Sequence, residues 1–281
     1  MKLVKPNAEL ILQEDGLEGI YKQIERCGRV CYKSEDKITD SSAEGFVERM
    51  IKSNHTAMLE HGTVYLAMPV ETILPIEANG WGKYYHNPYS ESGVVCEVNG
   101  EKAVAVTTNY RVLVENGWLD DLQFLCEPTK YHAHRYTVRL TLDRINSQSV
   151  TRHRKCSFAQ ESQRVCDYLA EKFGMSVTYV EPCWIKEEDL EEFKADLEAN
   201  EQLYFKWRNK GYPAEMARYF LINGAKTEII VTAFKSDWYH FFNLRVRGTT
   251  GRPHPDIKRV AILAFNQFVD NGIIDLVPTE S

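Results

Sequence analysis

The residue types best suited to chemistry are concentrated in one short segment, residues 151–164, which reads TRHRKCSFAQESQR. Five potential cations fall within thirteen of its residues: Arg152, His153, Arg154, Lys155 and Arg164. Arginine presents planar, bidentate donors that match phosphate, and the two serines add short hydroxyl donors. Because the whole chain has a formal net charge of −6, this local basic cluster indicates a site for a small anionic ligand. A solvated run of charge would have the same composition.

Three further segments place ionisable residues at spacings that chemistry could use. They read HTAMLEH from His55 to His61, PAEMAR from Pro213 to Arg218, and HFFNLR from His240 to Arg245. Each also has a purely structural explanation. Glu215 and Arg218 could pair with each other at i, i+3 of a helix, and Arg245 could neutralise the C-terminal end of its own helix.

Other common site motifs are missing from the sequence. It contains neither G-x-G-x-x-G nor G-x-x-x-x-G-K-[ST], so a Rossmann site and a P-loop are not indicated. The seven cysteines are scattered without a C-x-x-C pair, which favours reduced thiols over disulfides or a zinc ribbon. His132 and His134 have no suitably spaced partner ligand, so we interpret them as two partly exposed histidines before a strand and expect no metal.

Taken together, the four segments resemble the motifs of the flavin-dependent thymidylate synthases. Arg152-His153-Arg154, seven residues and Ser162 are similar to the family's R-H-R-x7-S signature, and Arg164 extends the similarity. The other three segments resemble the family's H-x-x-x-x-E-H segment, its helix with a substrate-binding arginine, and its H-F-F-x-L-R motif. All four follow the family's order, from residue 55 to residue 245.

The resemblance implies reductive methylation of dUMP to dTMP, with methylenetetrahydrofolate as carbon donor and FAD reduced by NADPH. It implies that Arg245 is catalytic and stabilises negative charge that develops on the pyrimidine. The substrate-binding residues that it implies are Arg152, Gln160, Ser162, Gln163, Arg164 and Arg218. The cofactor-binding residues that it implies are His55, Glu60, His153, Arg154 and His240. For His153, contact with flavin, contact with folate and ordering of the arginines all stay open.

Departures from the family pattern affect both the nucleotide and the flavin. Gln160 stands where the family has a carboxylate; its amide could bond a uracil edge but cannot act as a carboxylate. Phe234 and Ser236 stand where the family has the asparagine and arginine that hold FAD, and Arg247, Arg252 and His254 are candidates to compensate. An alternative is therefore a nucleotide-binding protein of the same fold that has lost flavin-dependent turnover. A nucleic-acid-binding domain that uses segment 151–164 is the third interpretation, and the acidic net charge argues against it.

Periodicity and turn residues predict the elements that must position these segments. Helices are predicted at 17–26, 41–53, 186–210, 213–221, 237–244 and 255–271, and strands at 63–70, 136–142 and 226–234. Asn99-Gly100 predicts a tight hairpin turn. We therefore expect an α+β fold with a mixed, largely antiparallel sheet and long helices, the thymidylate synthase-complementing fold, as a single domain over residues 1–281.

One region departs from the length that the family leads us to expect. Roughly ninety residues separate the E-H pair from R-H-R, which we interpret as an insertion of about sixty residues, a probable subdomain near residues 71–133. It could be a lid or an oligomer contact, and Arg111 within it could lie near the site. The family further implies a homotetramer with shared active sites, and no nucleic-acid partner. No apolar run approaches the roughly 18 residues of a membrane-spanning helix and no signal peptide is evident, so we expect a cytoplasmic protein.

Overall fold

A four-stranded antiparallel sheet lies at the centre of the computed structural model, which describes residues 1–70, 82–98 and 100–274. Its strands, in spatial order, are β2 (Asn7–Ile11), β6 (Arg135–Asp143), β9 (Lys226–Phe234) and β7 (Ser157–Gln160). Strand β9 reads KTEIIVTAF and is buried along almost its whole length, as expected for a strand covered on both faces. Since β6 and β9 pair from Arg135↔Phe234 to Asp143↔Lys226, the start of β6 lies beside the end of β9.

Helices cover both faces of this central sheet. The α-helices in the described part of the chain are α1 (Gly16–Tyr32), α2 (Ser42–Lys52), α3 (Gly82–Tyr85), α4 (Tyr110–Asn116), α5 (Arg144–Val150), α6 (Leu190–Asn209), α7 (Ala214–Ala217), α8 (Lys235–Phe242) and α9 (Pro255–Asp270). On one face α8 and α9 contribute an aromatic core that includes Trp238, Phe241, Phe242 and Phe268. On the other face Cys27 and Val30 of α1 pack against Ile230. Burial of this apolar surface is what holds α8, and the residues it carries, in place.

A second antiparallel sheet has the order β3-β5-β4 and packs against α1, α2 and α4. Its strands are β3 (Thr63–Pro69), β4 (Glu91–Val98) and β5 (Glu101–Asn109). Val98 pairs with Glu101, and Gly100 has a φ of 84°, so the predicted hairpin is confirmed. Asn99 of the predicted turn and residues 71–81 of the predicted insertion lie outside the described residues. That residues 71–133 form an added subdomain stays a prediction.

A third, smaller layer is built on the parallel pair β1 (Lys2–Val4) and β8 (Thr178–Val180), which packs with α6 and α7. The predicted helix at 213–221 is too long. Helix α7 ends at Ala217, and residues Arg218–Phe220 form a 3₁₀ turn. This tighter turn accompanies a stacked contact in which the ring of Phe220 lies parallel to that of Trp207, with centroids 5.2 Å apart. Tertiary packing thus overrides the local helical preference.

The helix predicted at 17–26 is too short, since α1 runs from Gly16 to Tyr32. The remaining predicted elements are confirmed within a few residues, and the strand at 226–234 matches its predicted bounds. The mixed α+β class with largely antiparallel sheets is confirmed. All seven cysteines are free, as expected of reduced thiols. Across the described ranges, no helix combines the length and the apolarity that a membrane span requires. His132 corrects one interpretation: it is buried, not partly exposed, because its Nε2 lies 3.1 Å from the Leu66 carbonyl and its Nδ1 lies 2.9 Å from Thr129 Oγ1.

Candidate active site

A cleft of about 460 Å³ lies between the R-H-R segment and α8 with the turn that follows it. We call it the cationic cleft. The residues that line it are Arg152, His153, Arg154, Lys155, Cys156, Asp237, His240, Leu244 and Arg245. Five residues predicted as catalytic, substrate-binding or cofactor-binding are among them: Arg152, His153, Arg154, His240 and Arg245. The structure therefore brings together two segments that are about eighty residues apart in the chain.

The alternation within R-H-R follows from two consecutive turns between α5 and β7. The backbone N–H of His153 donates to the Val150 carbonyl at 3.1 Å, and that of Cys156 donates to the His153 carbonyl at 2.9 Å. As a result His153 points inward and is 8% exposed, whereas Arg152 and Arg154 on either side are exposed. The two arginines therefore face the cleft and solvent rather than the core.

Arg245 is held in the wall of the cleft by two hydrogen bonds. Helix α8 continues into a π-helical turn, Asn243–Arg247, which carries this arginine. Its Nε donates to Nε2 of His153 at 3.3 Å, and its Nη2 donates to the Ser149 carbonyl at 3.0 Å. No partner for Nη1 is found among the described residues, so this donor is left for a ligand.

His153 is a neutral acceptor in this arrangement. Burial lowers the pKa of His153 to about 4, and the nearby charges of Arg245 and His240 act in the same direction. Its ring also packs edge-on against Phe241, with centroids 5.0 Å apart. Among the roles left open by the sequence, ordering of an arginine is the one for which a contact is present.

The cationic cleft has an excess of positive charge. Within the described ranges, Arg152, Arg154, Lys155 and Arg245 form no ion pair with a carboxylate, and burial and Arg152 both lower the pKa of Arg245. Asp237 is the carboxylate that lines the cleft, and its pKa is raised by burial. Such an arrangement of unpaired cations in a concave surface favours a multiply charged anion.

The remaining predicted substrate-binding residues lie at the opposite end of β7 from the cleft. Gln160 ends the strand, and its amide donates to Ser147 Oγ at 2.8 Å. Arg164 is exposed and pairs with Glu215 at 3.4 Å, while the Nε of Arg218 donates to the Glu215 carbonyl at 3.1 Å. Ser162 and Gln163 lie between Gln160 and Arg164. Because a four-residue strand spans about 13 Å, one chain does not place these residues in the cationic cleft.

Arg144 is a cation of this second group that the sequence did not single out. Its Nη1 donates to the Glu161 carbonyl at 3.3 Å, and burial and the neighbouring Arg218 lower its pKa. The sequence feature that could have identified Arg144 is its position at the start of α5, the helix that leads directly into R-H-R.

A buried ion-pair network lies next to the second group. Glu161 is 1% exposed and pairs with Lys226 at 3.0 Å. Lys226 also pairs with Glu228 at 2.7 Å, as does Lys33. Burial alone would raise the pKa of Glu228, but Lys226 and Lys33 lower it to about 2. The network holds the loop that carries Ser162 against β9.

The His55–His61 segment forms a 3₁₀ turn, Thr56–His61, outside the cationic cleft. Its exposed His55 precedes the turn, and Glu60 pairs with Arg111 at 2.5 Å. Arg111 was expected near the site, and it lies beside Glu60. His61 is fully buried, with its Nδ1 2.8 Å from Thr232 Oγ1. Burial lowers the pKa of His61 to about 3, and Arg135 contributes in the same direction.

Comparisons with known proteins bear on this arrangement. A family model described as "Thymidylate synthase complementing protein" matches residues 127–271. A "Flavin-dependent thymidylate synthase" from Geobacter sulfurreducens is 34% identical over 104 residues, which cover 37% of this chain and 44% of that protein. Another from Sulfurisphaera tokodaii is 32% identical over 141 residues, covering 47% of this chain and 53% of that protein. The chain therefore spans about half the length of the curated relatives that it matches.

Among solved structures, the UMP/dUMP methylase PolB from Streptomyces cacaoi, bound with 5-Br dUMP, aligns with a TM-score of 0.46 and 13% identity. The alignment covers 96% of this chain and 93% of that one.

Proposed function

Since the chain belongs to the thymidylate synthase complementing protein family, we propose that it methylates dUMP to dTMP reductively. Methylenetetrahydrofolate as carbon donor, FAD as redox cofactor and NADPH as reductant are parts of the proposal. The observation that carries it is the position of Arg245, which a neutral His153 orients in the wall of a cleft rich in unpaired cations. The curated relatives named above are flavin-dependent thymidylate synthases, which supports the same reaction.

Arg245 would stabilise the pyrimidine during carbon–carbon bond formation. When C5 of the uracil acts as the nucleophile, negative charge develops on the ring and its carbonyl oxygens. A guanidinium that is already fixed by its Nε and Nη2 can offer Nη1 to that charge without reorganising. Its partner His153 stays neutral near pH 7, so it does not compete with the arginine for the developing anion.

The residues of the cationic cleft fit a phosphate-bearing flavin. Arg152, Arg154 and Lys155 line the cleft and have no carboxylate partner among the described residues, so they can bind a pyrophosphate group. For Arg152 this role replaces the contact with substrate that the resemblance implied. Leu244 adds an apolar surface to the same wall. When bound and reduced, FAD supplies the hydride of the reaction.

The second group, at the far end of β7, would bind dUMP. Arg144 donates to the Glu161 carbonyl next to Ser162, and Arg164 and Arg218 both contact Glu215. Arginines with a hydroxyl are a common set of phosphate ligands. Because this group and the cationic cleft lie at opposite ends of one strand, a site that uses both needs residues from a second copy of the chain. That separation supports the proposed homotetramer with shared active sites.

A second candidate function is nucleotide binding without turnover. It is favoured by the buried side chain of Phe234 and by Ser236, which stand where the family has flavin contacts. The two functions predict different results from one preparation. The first experiment records the visible absorbance spectrum of the purified protein before and after addition of FAD. The second measures dUMP-dependent NADPH oxidation and dTMP formation. Flavin uptake with dTMP formation supports the synthase; dUMP binding by a protein that takes up no flavin supports the alternative.

A further inference from the structure

Arg135 is a buried arginine whose charge is not neutralised by an ion pair within the described residues. It opens β6 and is 9% exposed. Its Nη1 donates to the Glu60 carbonyl at 3.1 Å and to Thr63 Oγ1 at 3.3 Å, and its Nη2 donates to Ser157 Oγ at 3.3 Å. These acceptors are all neutral, and Nε has no hydrogen-bond partner. Because an unpaired buried cation is costly to the folded state, its retention calls for a ligand or a neighbour that gains from the charge.

Arg135 lines a separate cavity beside β3, and its guanidinium also reaches the segment that forms one wall of the cationic cleft. It is stacked over the ring of Phe234, 5.5 Å from the centroid, and the two residues are partners in the β6–β9 register. Its acceptor Ser157 follows Cys156, which lines the cleft. Burial raises the pKa of both Cys156 and Asp237, which line the cleft wall, and the charge of Arg135 opposes that rise in each.

The position of Arg135 coincides with the site's departure from its family. Phe234 and Ser236 stand where the resemblance drawn from the sequence implies an asparagine and an arginine that hold FAD. Arg247, Arg252 and His254 were candidates to compensate, but they are not among the residues that line the cleft. Arg247 instead donates to Asn243 Oδ1 at 3.1 Å, and His254 caps α9.

We propose that Arg135 is a positioning residue whose charge, which no ion pair neutralises within the described residues, helps to hold the diphosphate of a flavin dinucleotide in the cationic cleft, where the resemblance implies a cation that Ser236 does not supply. This inference rests on the proposed function. Arg135 acts through the buried cleft wall, where the field of a charge is screened far less than at the surface. The exposed Arg152 and Arg154 contact the anion directly, and Arg135 strengthens their hold on it.

A purely structural role makes a different prediction. Through the Glu60 carbonyl and Ser157 Oγ, Arg135 also joins the His55–His61 turn to the R-H-R segment. Two substitutions separate its charge from its hydrogen bonds. Arg135→Lys keeps the charge but loses the planar fork, and Arg135→Gln keeps an amide donor but loses the charge. Arg139→Gln is the matched control, because Arg139 lies on the same strand but forms ion pairs with Glu228 and Glu35.

The test measures dissociation constants for FAD by quenching of flavin fluorescence and for inorganic pyrophosphate by calorimetry, with Tm for every variant. We expect R135Q to bind both ligands about tenfold more weakly, the order expected for one buried charge at an effective dielectric near 20. R135K is expected to bind much more tightly than R135Q, and R139Q to lose Tm without losing affinity. Adding Ser236→Arg to R135Q is expected to restore pyrophosphate binding, since it returns a cation one helical turn before His240.

Equal losses of affinity in R135K and R135Q, in proportion to their losses of Tm, would overturn the proposal in favour of the structural role. Wild-type affinity in R135Q would overturn it as well. If R135Q does not fold, R135K alone carries the test: it should keep its affinity for pyrophosphate despite a lower Tm, and a loss of affinity in proportion to its loss of Tm contradicts the proposal. Binding measurements on the wild-type protein distinguish a failure of the proposed function from a failure of the role of Arg135. If it binds neither FAD nor pyrophosphate, the proposed function fails; if it binds both and R135Q binds equally well, only the role of Arg135 fails.

Discussion

Nε of Arg245 donates a hydrogen bond to Nε2 of His153 across a distance of 3.3 Å, so a histidine of the R-H-R segment sets the direction of an arginine that lies ninety-two residues later. Because burial and nearby cations hold the pKa of His153 at about 4, the imidazole is an acceptor throughout the neutral range. The pair therefore works as a fixed donor with a fixed orienting group, and each member can be tested separately.

Removing the guanidinium of Arg245 should slow dTMP formation while the protein stays folded. We expect Arg245→Gln to reduce kcat by about a hundredfold to a thousandfold, the usual effect of losing one preorganised donor at a developing anion. Arg247→Gln is the control, since Arg247 is on the same turn, exposed and outside the cleft lining. The steady-state kcat of both variants tests this prediction. If R245Q has a kcat close to that of R247Q, Arg245 takes no part in the reaction.

The two substitutions His153→Gln and His153→Phe should differ in activity. Glutamine keeps an oxygen that can accept from Arg245 Nε, whereas phenylalanine fills the space without an acceptor. We expect kcat to fall about tenfold to a hundredfold in H153F, because a misdirected guanidinium loses its alignment, and to fall much less in H153Q. If His153 transferred a proton itself, both variants would lose activity to the same extent.

His61 should make the protein less stable as the pH falls. Its pKa is about 3 in the folded protein and near 6.5 in the unfolded chain, so the unfolded state alone takes up a proton between these values. The contribution of neutral His61 to the free energy of unfolding is complete above about pH 6.5 and is lost progressively as the pH falls toward 3. His61→Gln, which can keep a bond to Thr232, should flatten this dependence in urea unfolding curves taken from neutral to acidic pH. Parallel curves for the two proteins would contradict the assignment.

Lys226 should matter to stability more than an ordinary surface lysine does. Lys226→Met leaves the carboxylate of Glu161, 1% exposed, without its 3.0 Å partner, and we expect a loss of about 3 kcal/mol in the free energy of unfolding. The double variant Glu161→Gln, Lys226→Met should recover part of that loss. Lys186→Met is the control, because Lys186 pairs with Glu188 in solvent, where a pair contributes about 1 kcal/mol at most. Chemical unfolding that shows equal effects for K226M and K186M would be the contrary result.

A shared active site should allow two inactive proteins to restore each other. R245Q is altered in the cationic cleft and Arg164→Gln in the group at the far end of β7, so a mixed oligomer has some sites with neither substitution. We expect co-refolded R245Q and R164Q to exceed the activity of either variant alone. No recovery, together with a monomeric sedimentation coefficient, would place the whole site within one chain.

Much of this arrangement could be predicted from sequence where the cause is local. The helix that carries His240 and the bounds of β9 both follow from spacing and periodicity over a few residues. The resemblance to a known family singled out the segments on either side of the cleft.

What sequence could not predict depends on pairings between distant segments. Arg135 meets Phe234 only because β6 and β9 are antiparallel neighbours in one particular register. His132 is buried because its loop packs on β3, where the Leu66 carbonyl accepts a hydrogen bond from its Nε2. Helix α7 is short because Phe220 stacks on Trp207 of another helix. In each case the deciding contact is formed by packing, which a local pattern does not record.

Because of the π-helical turn at Asn243–Arg247, the number of residues in this helix helps to determine where Arg245 points. A π turn holds about one residue more than an α-helical turn, and so changes the angle at which every later side chain leaves the helix axis. Deleting a single residue here would let the helix regularise, which would favour folding locally, yet it would rotate Arg245 away from His153. Length, as much as residue identity, is therefore under functional constraint in this turn. A survey limited to substitutions would overlook that constraint, whereas one-residue deletions and insertions would reveal it.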